Sequence, residues 1–309
     1  MERLTLAGGI PEHLRGSILA LGNFDGFHLG HQAVVGRAVA RAFHERRPVI
    51  VATFDPHPVR FFRPDVPPFR LTTLDQRETL FGHAGADAML VFEFGAALAS
   101  MDAEEFVSEV LARQIGAAGV ITGDDFSFGK GRRGDAALLA KAGADNGLAA
   151  EAVSQVVLDG ERISSGRIRE ALVAGDTGTA TRMLSRDYAI EGVVQRGDAR
   201  GRELGYPTAN LELGDYQRPR YGIYAVRVTL DDGSEHPGVA SLGVRPTFDP
   251  PRELLEAHLF DVQRDLYGQR IEVALHAFIR DEKKFEGIDA LIAEMRRDEA
   301  EARKLLAID

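Results

Sequence analysis

His28 and His31 lie three residues apart, and their type and spacing suit work on a phosphate group. Three residues are close to one helical turn, so both imidazoles can donate hydrogen bonds to the same anion. The pair follows a short apolar run, Ile18 to Leu21, and a glycine-containing turn. A helix that begins there offers backbone N–H groups and partial positive charge. This arrangement suits attack on the α-phosphate of ATP, where positioning and electrostatics suffice without a covalent intermediate.

The same histidine pair has two plainer interpretations, a histidine-capped glycine-rich turn and half of a metal site. The strand before it, the Phe24-Asp25-Gly26 turn and the helix after it favour nucleotide binding. Gly30 leaves room for a nucleotide to approach the backbone. The segment carries the HxGH signature shared by nucleotidylyltransferases and class I aminoacyl-tRNA synthetases. The candidates are His28 and His31 as catalytic residues, and Gly22, Phe24, Asp25, Gly26 and Gly30 for nucleotide binding.

Three further segments lie where predicted strands end or a helix begins. Thr53–Pro58 ends the second strand and by itself reads as a proline-stiffened turn. Gly123–Gly129 ends another strand; it offers two aromatic faces beside a carboxylate, or is a loop anchored by two phenylalanines. Ile163–Arg169 begins a helix, in which a serine can cap the N-terminus and an arginine can reach the tail of ATP.

In this order, the four segments resemble the adenylyltransferase domain of the bacterial bifunctional riboflavin kinase/FAD synthetases, over about residues 15 to 185. The resemblance implies that His28 and His31 stabilise the ATP phosphates. It also implies a triphosphate-binding segment at 164–169 and a loop near the flavin at 125–128. The residues that it adds are Ser164, Ser165, Arg167 and Arg169 for the nucleotide, and Asp125, Phe126 and Phe128 for the flavin.

A glycine-rich segment in the second half of the chain ends in Pro207-Thr208-Ala209-Asn210. Its glycines let a loop fold around phosphates through backbone N–H groups. Pro207 stiffens the turn that presents Thr208 and Asn210, whose side-chain oxygens are hard ligands suited to Mg²⁺ on ATP phosphates. The plainer interpretation is a glycine-rich turn with a capping threonine. The glycines proposed for nucleotide binding are Gly197, Gly201 and Gly205.

Glu256 is the candidate base of this second site. Phosphorylation of a primary alcohol needs a group that accepts the hydroxyl proton. Glu256 lies in the apolar strand Leu254–Leu259, where a charge is costly unless it is solvated or used. A glutamate that faces solvent would give the same alternation, so the pattern leaves both interpretations open.

This second half resembles the riboflavin kinase module, over about residues 186 to 306. The resemblance implies Thr208 and Asn210 as metal ligands at Mg²⁺-ATP, Glu256 as the base and Arg280 near the flavin product. The segments that support it are Tyr221–Tyr224, Gly243–Phe248, Asp265–Gly268, and Arg280 with Lys283, Lys284 and Phe285.

The chain departs from the two family patterns at two positions. Gly166 stands where family members usually carry a hydroxyl residue, so one triphosphate contact is missing or comes from Ser165. Arg196 stands where members often carry histidine, at a position to which no chemistry is assigned. The segment Gly129–Gly134 matches GxGxxG but does not close the first strand of a βαβ unit, so it is weak evidence. Its basic residues fit a solvated loop better than a flap over phosphates.

The elements that position the first set of residues alternate between strand and helix. Such alternation predicts an α/β domain with a doubly wound parallel sheet, whose ligands lie beyond the carboxyl ends of the strands. The predicted strands are 18–21, 49–54, 88–92 and 120–122. The predicted helix faces carry Val35, Val39 and Phe43, and Phe106, Val107, Val110 and Leu111.

After residue 185 the pattern changes to short alternating strands, which predict a small antiparallel β-barrel. A hairpin turn is expected at Asp231-Asp232-Gly233, and a C-terminal helix over about Ile288 to Leu306. The predicted strand faces carry Tyr224, Val226, Val228 and Leu230, and Ile271, Val273, Leu275 and Ile279. We therefore expect an adenylyltransferase domain at 1–185 and a kinase domain at 186–309.

The composition limits the kinds of binding partner and the cellular compartment that we expect for this protein. The net charge of −10 argues against a general nucleic-acid binder, which needs a positive surface. The absence of cysteine excludes disulfides and thiolate metal sites and agrees with a reducing compartment. No stretch reads as a signal peptide or a membrane anchor, so we expect a cytoplasmic protein without membrane partners. The oligomeric state, a homo-oligomer included, stays open.

The leading hypothesis is a bifunctional enzyme. Riboflavin and ATP give FMN, and FMN and a second ATP give FAD and pyrophosphate. The 207–210 segment argues against another HxGH transferase with an unrelated barrel. A tRNA synthetase would need a tRNA-binding domain and a basic face, and neither is evident in the sequence. A flavin-binding protein that has lost catalysis is disfavoured because both sets of candidate residues are present.

Overall fold

The computed structural model describes residues 1–196, 206–245, 252–262 and 264–308, without the side chain of residue 245. The chain divides into two compact units, Met1–Pro67 with Thr72–Ser164 and Pro68–Leu71 with Ser165–Asp309. The domain boundary between residues 185 and 186 stays a prediction.

A six-stranded sheet with the order β1-β4-β3-β2-β5-β6 forms the centre of the first unit. Every neighbouring pair in it is parallel, which confirms the predicted doubly wound α/β architecture. Its strands are β1 (Glu2–Thr5), β2 (Ile18–Leu21), β3 (Val49–Asp55), β4 (Ala88–Glu93), β5 (Gly119–Gly123) and β6 (Ala149–Val153). A separate antiparallel pair comprises β7 (Val157–Leu158) and β8 (Glu161–Arg162). All four residues of β2 are buried, as expected where helices cover both faces of a parallel sheet.

Helices cover both faces of this sheet. The α-helices are α1 (Leu29–Glu45), α2 (Pro58–Phe62), α3 (Leu74–His83), α4 (Ala96–Ser100), α5 (Ala103–Glu105) and α6 (Ala136–Asp145). A π-helix spans Phe106–Ile115, and 3₁₀ turns lie at Glu12–Leu14 and Lys130–Arg132. Helix α1 buries Val35 on one face of the sheet, and the π-helix buries Val107 on the other. The amphipathic helix predicted around Val107 is therefore confirmed in place, although it winds as a π-helix.

Phe43 does not share the buried face of α1, so that part of the prediction is wrong. Its side chain is 82% exposed, whereas Val35 is completely buried. Eight residues separate the two positions, and at about 100° per residue the side chain of Phe43 turns about 80° away from that of Val35.

The second unit contains an antiparallel six-stranded sheet with the order β10-β13-β12-β11-β14-β9. A bridge between Gln195 and Asn210 links its two outer strands, which confirms the predicted small barrel. Its strands are β9 (Tyr188–Val193), β10 (Ala209–Glu212), β11 (Gly222–Thr229), β12 (Glu235–Arg245), β13 (Arg252–Leu259) and β14 (Arg270–Arg280). Its helices are α7 (Ser165–Ala174), α8 (Thr177–Leu184) and α9 (Ile288–Leu305). The C-terminal helix is thus confirmed.

The register of β11 and β14 confirms most of the predicted faces and overturns one. Tyr224 and Val226 are completely buried, and the backbone of residues 230–234 closes the expected hairpin turn. Two register shifts interrupt the pairing of β11 with β14 after Leu275. A shift of one residue moves a side chain to the other face of a strand. Ile279 therefore packs with Ala225 under α9 and does not share the face of Leu275.

Candidate functional site

The turn between β2 and α1 holds the two histidines in contact. His28 is the N-cap of α1, and its Nδ1 accepts a hydrogen bond from the backbone N–H of His31 at 3.3 Å. The two rings stack with their centroids 3.6 Å apart. Because Nδ1 is an acceptor, the proton of the neutral ring lies on Nε2, which is a donor for an anion. Burial lowers the pKa of His28 to about 4, so the ring is neutral near pH 7.

Gly30 packs closely against the ring of His28. A Cβ atom placed on Gly30 would lie 3.1 Å from Cε1 and 3.2 Å from Nδ1 of that ring. Such contacts are tighter than ordinary packing, so with a larger residue at this position the imidazole would have to shift by a few tenths of an ångström. The sequence suggests space for a nucleotide at this glycine; the structure shows that the glycine also makes space for the first histidine.

Buried polar contacts hold the turn in place from behind. Asp25 and Arg77 form an ion pair of 3.0 Å, and their side chains are 2% and 3% exposed. Thr72 donates its backbone N–H to Asp25 Oδ1, and its hydroxyl accepts the backbone N–H of Gly26. The hydroxyl of Thr53 donates to the carbonyl oxygen of Asn23 at 2.7 Å.

Sequence reasoning identified Asp25 and Gly26 and noted Thr53 only as the start of a turn segment, but it missed Arg77 and Thr72. A signal for Arg77 exists, because it lies four residues before Phe81 and hence on the buried face of α3. A charged residue at a position where a helix buries its side chains is usually paired.

Two buried threonines in the first sheet offer a matched test of hydrogen bonding. Thr53 and Thr122 are both completely buried, but Thr122 Oγ1 has no hydrogen-bond partner within the described ranges. We expect Thr122→Val to raise the free energy of unfolding by about 1 kcal/mol and Thr53→Val to lower it by about 1–3 kcal/mol. Urea unfolding measures both. Equal changes of the same sign would contradict the assignment.

The 125–128 loop is held by one ion pair and by aromatic contacts. Asp125 pairs with Arg162, and both side chains are about half exposed. The ring of Phe126 stacks on that of Phe128 with a centroid distance of 5.7 Å. Phe128 is 7% exposed and packs against Phe106, so Phe128 anchors the loop and Phe126 presents the more exposed ring. The flavin roles of these residues stay predictions.

The residues proposed for the triphosphate lie at the start of α7. Ser164 ends a segment of the first unit, and Ser165 is the first residue of α7 in the second unit. Arg169 donates from Nε to the carbonyl oxygen of Phe69 at 2.8 Å, and its guanidinium lies over the Phe69 ring. Arg167 is half-buried. Their contacts with ATP stay predictions.

The second set of candidates forms a row across the barrel sheet. Asn210 pairs in register with Glu256, and Glu256 with Ser241. Ser241 pairs with Ile223, which in turn pairs with Arg280. Directly paired residues point to the same face with Cβ atoms about 5 Å apart, so Asn210 and Glu256 are neighbours. Arg280 lies three strands from Glu256, about 14 Å along the sheet. Gly197, Gly201 and Gly205 lie outside the described residues.

The side-chain oxygen of Asn210 is buried and has no partner among the described residues. The residue is 5% exposed, and its Oδ1 has no hydrogen-bond partner within the described part of the chain. Its amide nitrogen donates to the carbonyl oxygen of Thr208 at 3.4 Å, which leaves Oδ1 as the acceptor. A buried oxygen of this kind fits a cation or a donor supplied by a ligand. Thr208 is half-buried and Glu256 is partly buried.

Arg280 is held by the C-terminal helix. Its Nε and Nη2 donate to the two carboxylate oxygens of Asp298 at 2.7 and 2.6 Å. Its Nη1 donates to the carbonyl oxygen of Asp281 at 2.8 Å. All three nitrogens thus have a protein partner, and the predicted position of Arg280 near the flavin stays a prediction.

Two family models match this chain, one in each half. A family model described as FAD synthetase matches residues 10–167, and one described as riboflavin kinase matches residues 184–306. A bifunctional riboflavin kinase/FMN adenylyltransferase of Pseudomonas fluorescens is 42% identical over 96% of this chain and 95% of that protein. The protein of the same name from Escherichia coli K12 is 39% identical over 95% of this chain and 94% of its own length.

A solved structure covers nearly the whole chain. It is described as a macrolide-efflux protein from Streptococcus pneumoniae, and it matches 98% of this chain and 99% of its own with a TM-score of 0.87. The identity between the two is 29%. Within the described ranges of this chain, no helix has the length and hydropathy that a membrane crossing requires.

Proposed function

Because the chain belongs to the family of bifunctional riboflavin kinase/FMN adenylyltransferases, we propose that its two sets of candidate residues are the two active sites of that enzyme. The protein is a transferase that makes flavin cofactors. It phosphorylates riboflavin with ATP to give FMN and then adenylylates FMN with a second ATP to give FAD and pyrophosphate.

The first site performs the adenylylation. A phosphate oxygen of FMN attacks the α-phosphorus of ATP, the bond to the bridging oxygen breaks, and pyrophosphate leaves with that electron pair. Nε2–H of neutral His28 donates to the phosphate oxygens as charge grows on them, and His31 acts beside it. The N-terminus of α1 adds backbone N–H groups and partial positive charge. The support for these roles is the stacked pair at that helix terminus.

The second site performs the phosphorylation. Glu256 accepts the proton of the terminal ribityl hydroxyl as its oxygen attacks the γ-phosphorus of ATP and ADP leaves. The observation that carries this proposal is the register, which puts Glu256 directly beside the buried Asn210. The two chemically distinct groups that the reaction needs therefore lie on one face of the sheet.

Asn210 and Thr208 fit a Mg²⁺ site shared with ATP. Within the described residues no cluster of three or more histidines and carboxylates forms a metal cage. Magnesium in kinase sites takes most of its ligands from phosphates and water, so a buried amide oxygen and a hydroxyl are sufficient protein ligands. The ion would neutralise phosphate charge during transfer.

Other properties remain predictions of the sequence. These are the cytoplasmic location, the absence of nucleic acid among the ligands, the roles of the 125–128 loop and of Arg280, and the oligomeric state.

The direct test incubates the purified full chain with riboflavin and Mg-ATP and separates the flavins by chromatography. We expect FMN to appear first and FAD to follow it. Unchanged riboflavin would contradict the kinase assignment. FMN that accumulates without FAD would contradict the adenylyltransferase assignment.

A further inference from the structure

Arg77 on α3 hydrogen-bonds to the turn that precedes His28. One of its contacts, Asp25, is part of that turn, and the other two are threonines that are themselves hydrogen-bonded to the turn. We propose that Arg77 is a positioning residue for adenylyl transfer, which acts by holding the turn that carries His28. This inference rests on the proposed role of His28 at the ATP phosphates.

The guanidinium contacts three separate groups. Nη2 donates to Asp25 Oδ1 at 3.0 Å, Nε to Thr72 Oγ1 at 3.2 Å and Nη1 to Thr53 Oγ1 at 3.1 Å. Asp25 is itself part of the turn. A planar fork with five N–H donors can make these contacts at once, whereas a lysine ammonium is a single point of charge.

Each of the two threonines extends the contact to the turn backbone. Thr53 donates to the carbonyl oxygen of Asn23 at 2.7 Å, and Thr72 accepts the N–H of Gly26 at 3.0 Å. The Arg77 contacts therefore converge on residues 23, 25 and 26. The N-cap of α1, His28, follows two residues later.

Helix α3 adds an apolar contact one turn after Arg77. Phe81 packs edge-on against Phe24 at 5.7 Å and against Phe27 at 5.1 Å between ring centroids. Phe24 in turn packs against the ring of His31 at 5.3 Å. One face of α3 thus supports the turn with a cation and with an aromatic ring.

The turn needs such support because its backbone is unusual. Phe24 and Phe27 have φ values of 50° and 44°, in the left-handed region that residues with a Cβ rarely adopt. Strained conformations persist when the surroundings over-determine them. Without Arg77 the carboxylate of Asp25 would also be buried without its cation, which strongly disfavours the same arrangement.

The test is a double-mutant cycle between Arg77→Met and His28→Ala, read as the kcat of FMN adenylylation. Arg77→Met alone is expected to lower kcat by about 10- to 100-fold with little change in the KM for FMN, since small displacements of a catalytic group have effects of this size. In the His28→Ala background the same change should lower kcat by less than about threefold, because a residue that acts through His28 has no further effect once His28 is absent.

Two further variants protect the test against misfolding. Arg77→Lys keeps the charge but loses the fork, so it should also lower kcat. Asp25→Asn combined with Arg77→Met removes both charges from the interior and should fold better than Arg77→Met alone. Riboflavin phosphorylation in the same preparations should stay at the wild-type rate.

The matched control is Arg41→Met. Arg41 is also largely buried in the first unit, with a side chain 16% exposed, but its Nη1 donates to the carbonyl oxygen of Ala149 far from the turn in sequence. The Arg41→Met variant should be less stable than the wild type but should have the wild-type kcat of FMN adenylylation. The inference would be overturned if Arg77→Met left kcat unchanged. It would also be overturned if Arg77→Met lowered kcat as much in the His28→Ala background as it does in the wild type. A His28→Ala variant with normal adenylylation would overturn the proposed role of His28 and the inference together.

Discussion

Replacement of Glu256 by glutamine should lower riboflavin phosphorylation by about 10²- to 10⁴-fold, while added FMN is still converted to FAD at the wild-type rate. Glutamine keeps the size and hydrogen-bonding ability of the side chain but does not accept the hydroxyl proton. Glu256 is partly buried beside Asn210, where the substrate hydroxyl and the phosphates of ATP would meet. The measurement is the initial rate of FMN formation with excess Mg-ATP, with FAD formation from FMN followed in parallel.

A neighbouring carboxylate provides the control for this variant. Glu212 lies two residues after Asn210 on β10 and forms a 3.5 Å ion pair with Arg252, with both side chains half exposed. An exposed pair of this kind contributes little to stability. Glu212→Gln should therefore leave both rates unchanged. A Glu256→Gln enzyme with a normal rate of phosphorylation would show that this glutamate merely faces solvent.

Replacement of His28 by alanine should have the opposite selectivity. We expect FAD formation to fall by about 10²- to 10³-fold while FMN accumulates from riboflavin, because one preorganised donor to the developing phosphate charge is removed. The variant also loses the acceptor of the His31 N–H at the N-cap. His31→Ala should likewise lower FAD formation while FMN accumulates, since it removes the second ring of the stack. Chromatography of the flavins over time measures both steps in one reaction.

His44→Ala is the control on the same helix. His44 is exposed in the last turn of α1, so its loss should change neither step. If His28→Ala or Glu256→Gln abolished both steps in a folded protein, the assignment of two separate sites would be wrong.

The architecture of both units was predictable because each rests on local patterns. The buried run Ile18–Leu21, the glycine-rich turn and the helix after it lie within about 30 residues, so periodicity and turn chemistry are sufficient to recognise them. The same holds for the C-terminal helix and for the hairpin turn at residues 231–233. Two predicted side-chain directions were wrong. Phe43 lies outside the buried face of α1 because of the rotation of the helix, and Ile279 lies on another face of β14 because the strand pairing is shifted there.

The candidate residues of both proposed sites could be chosen from the chain alone, because HxGH and Pro-Thr-Ala-Asn are short motifs whose residue types already limit what they can bind. The contacts that hold them in place could not. Arg77 reaches Asp25 across 52 positions, and Glu256 lies beside Asn210 only through the register of β10 and β13. Such contacts depend on which elements become neighbours when the whole chain buries its apolar surface, and no local pattern contains that information.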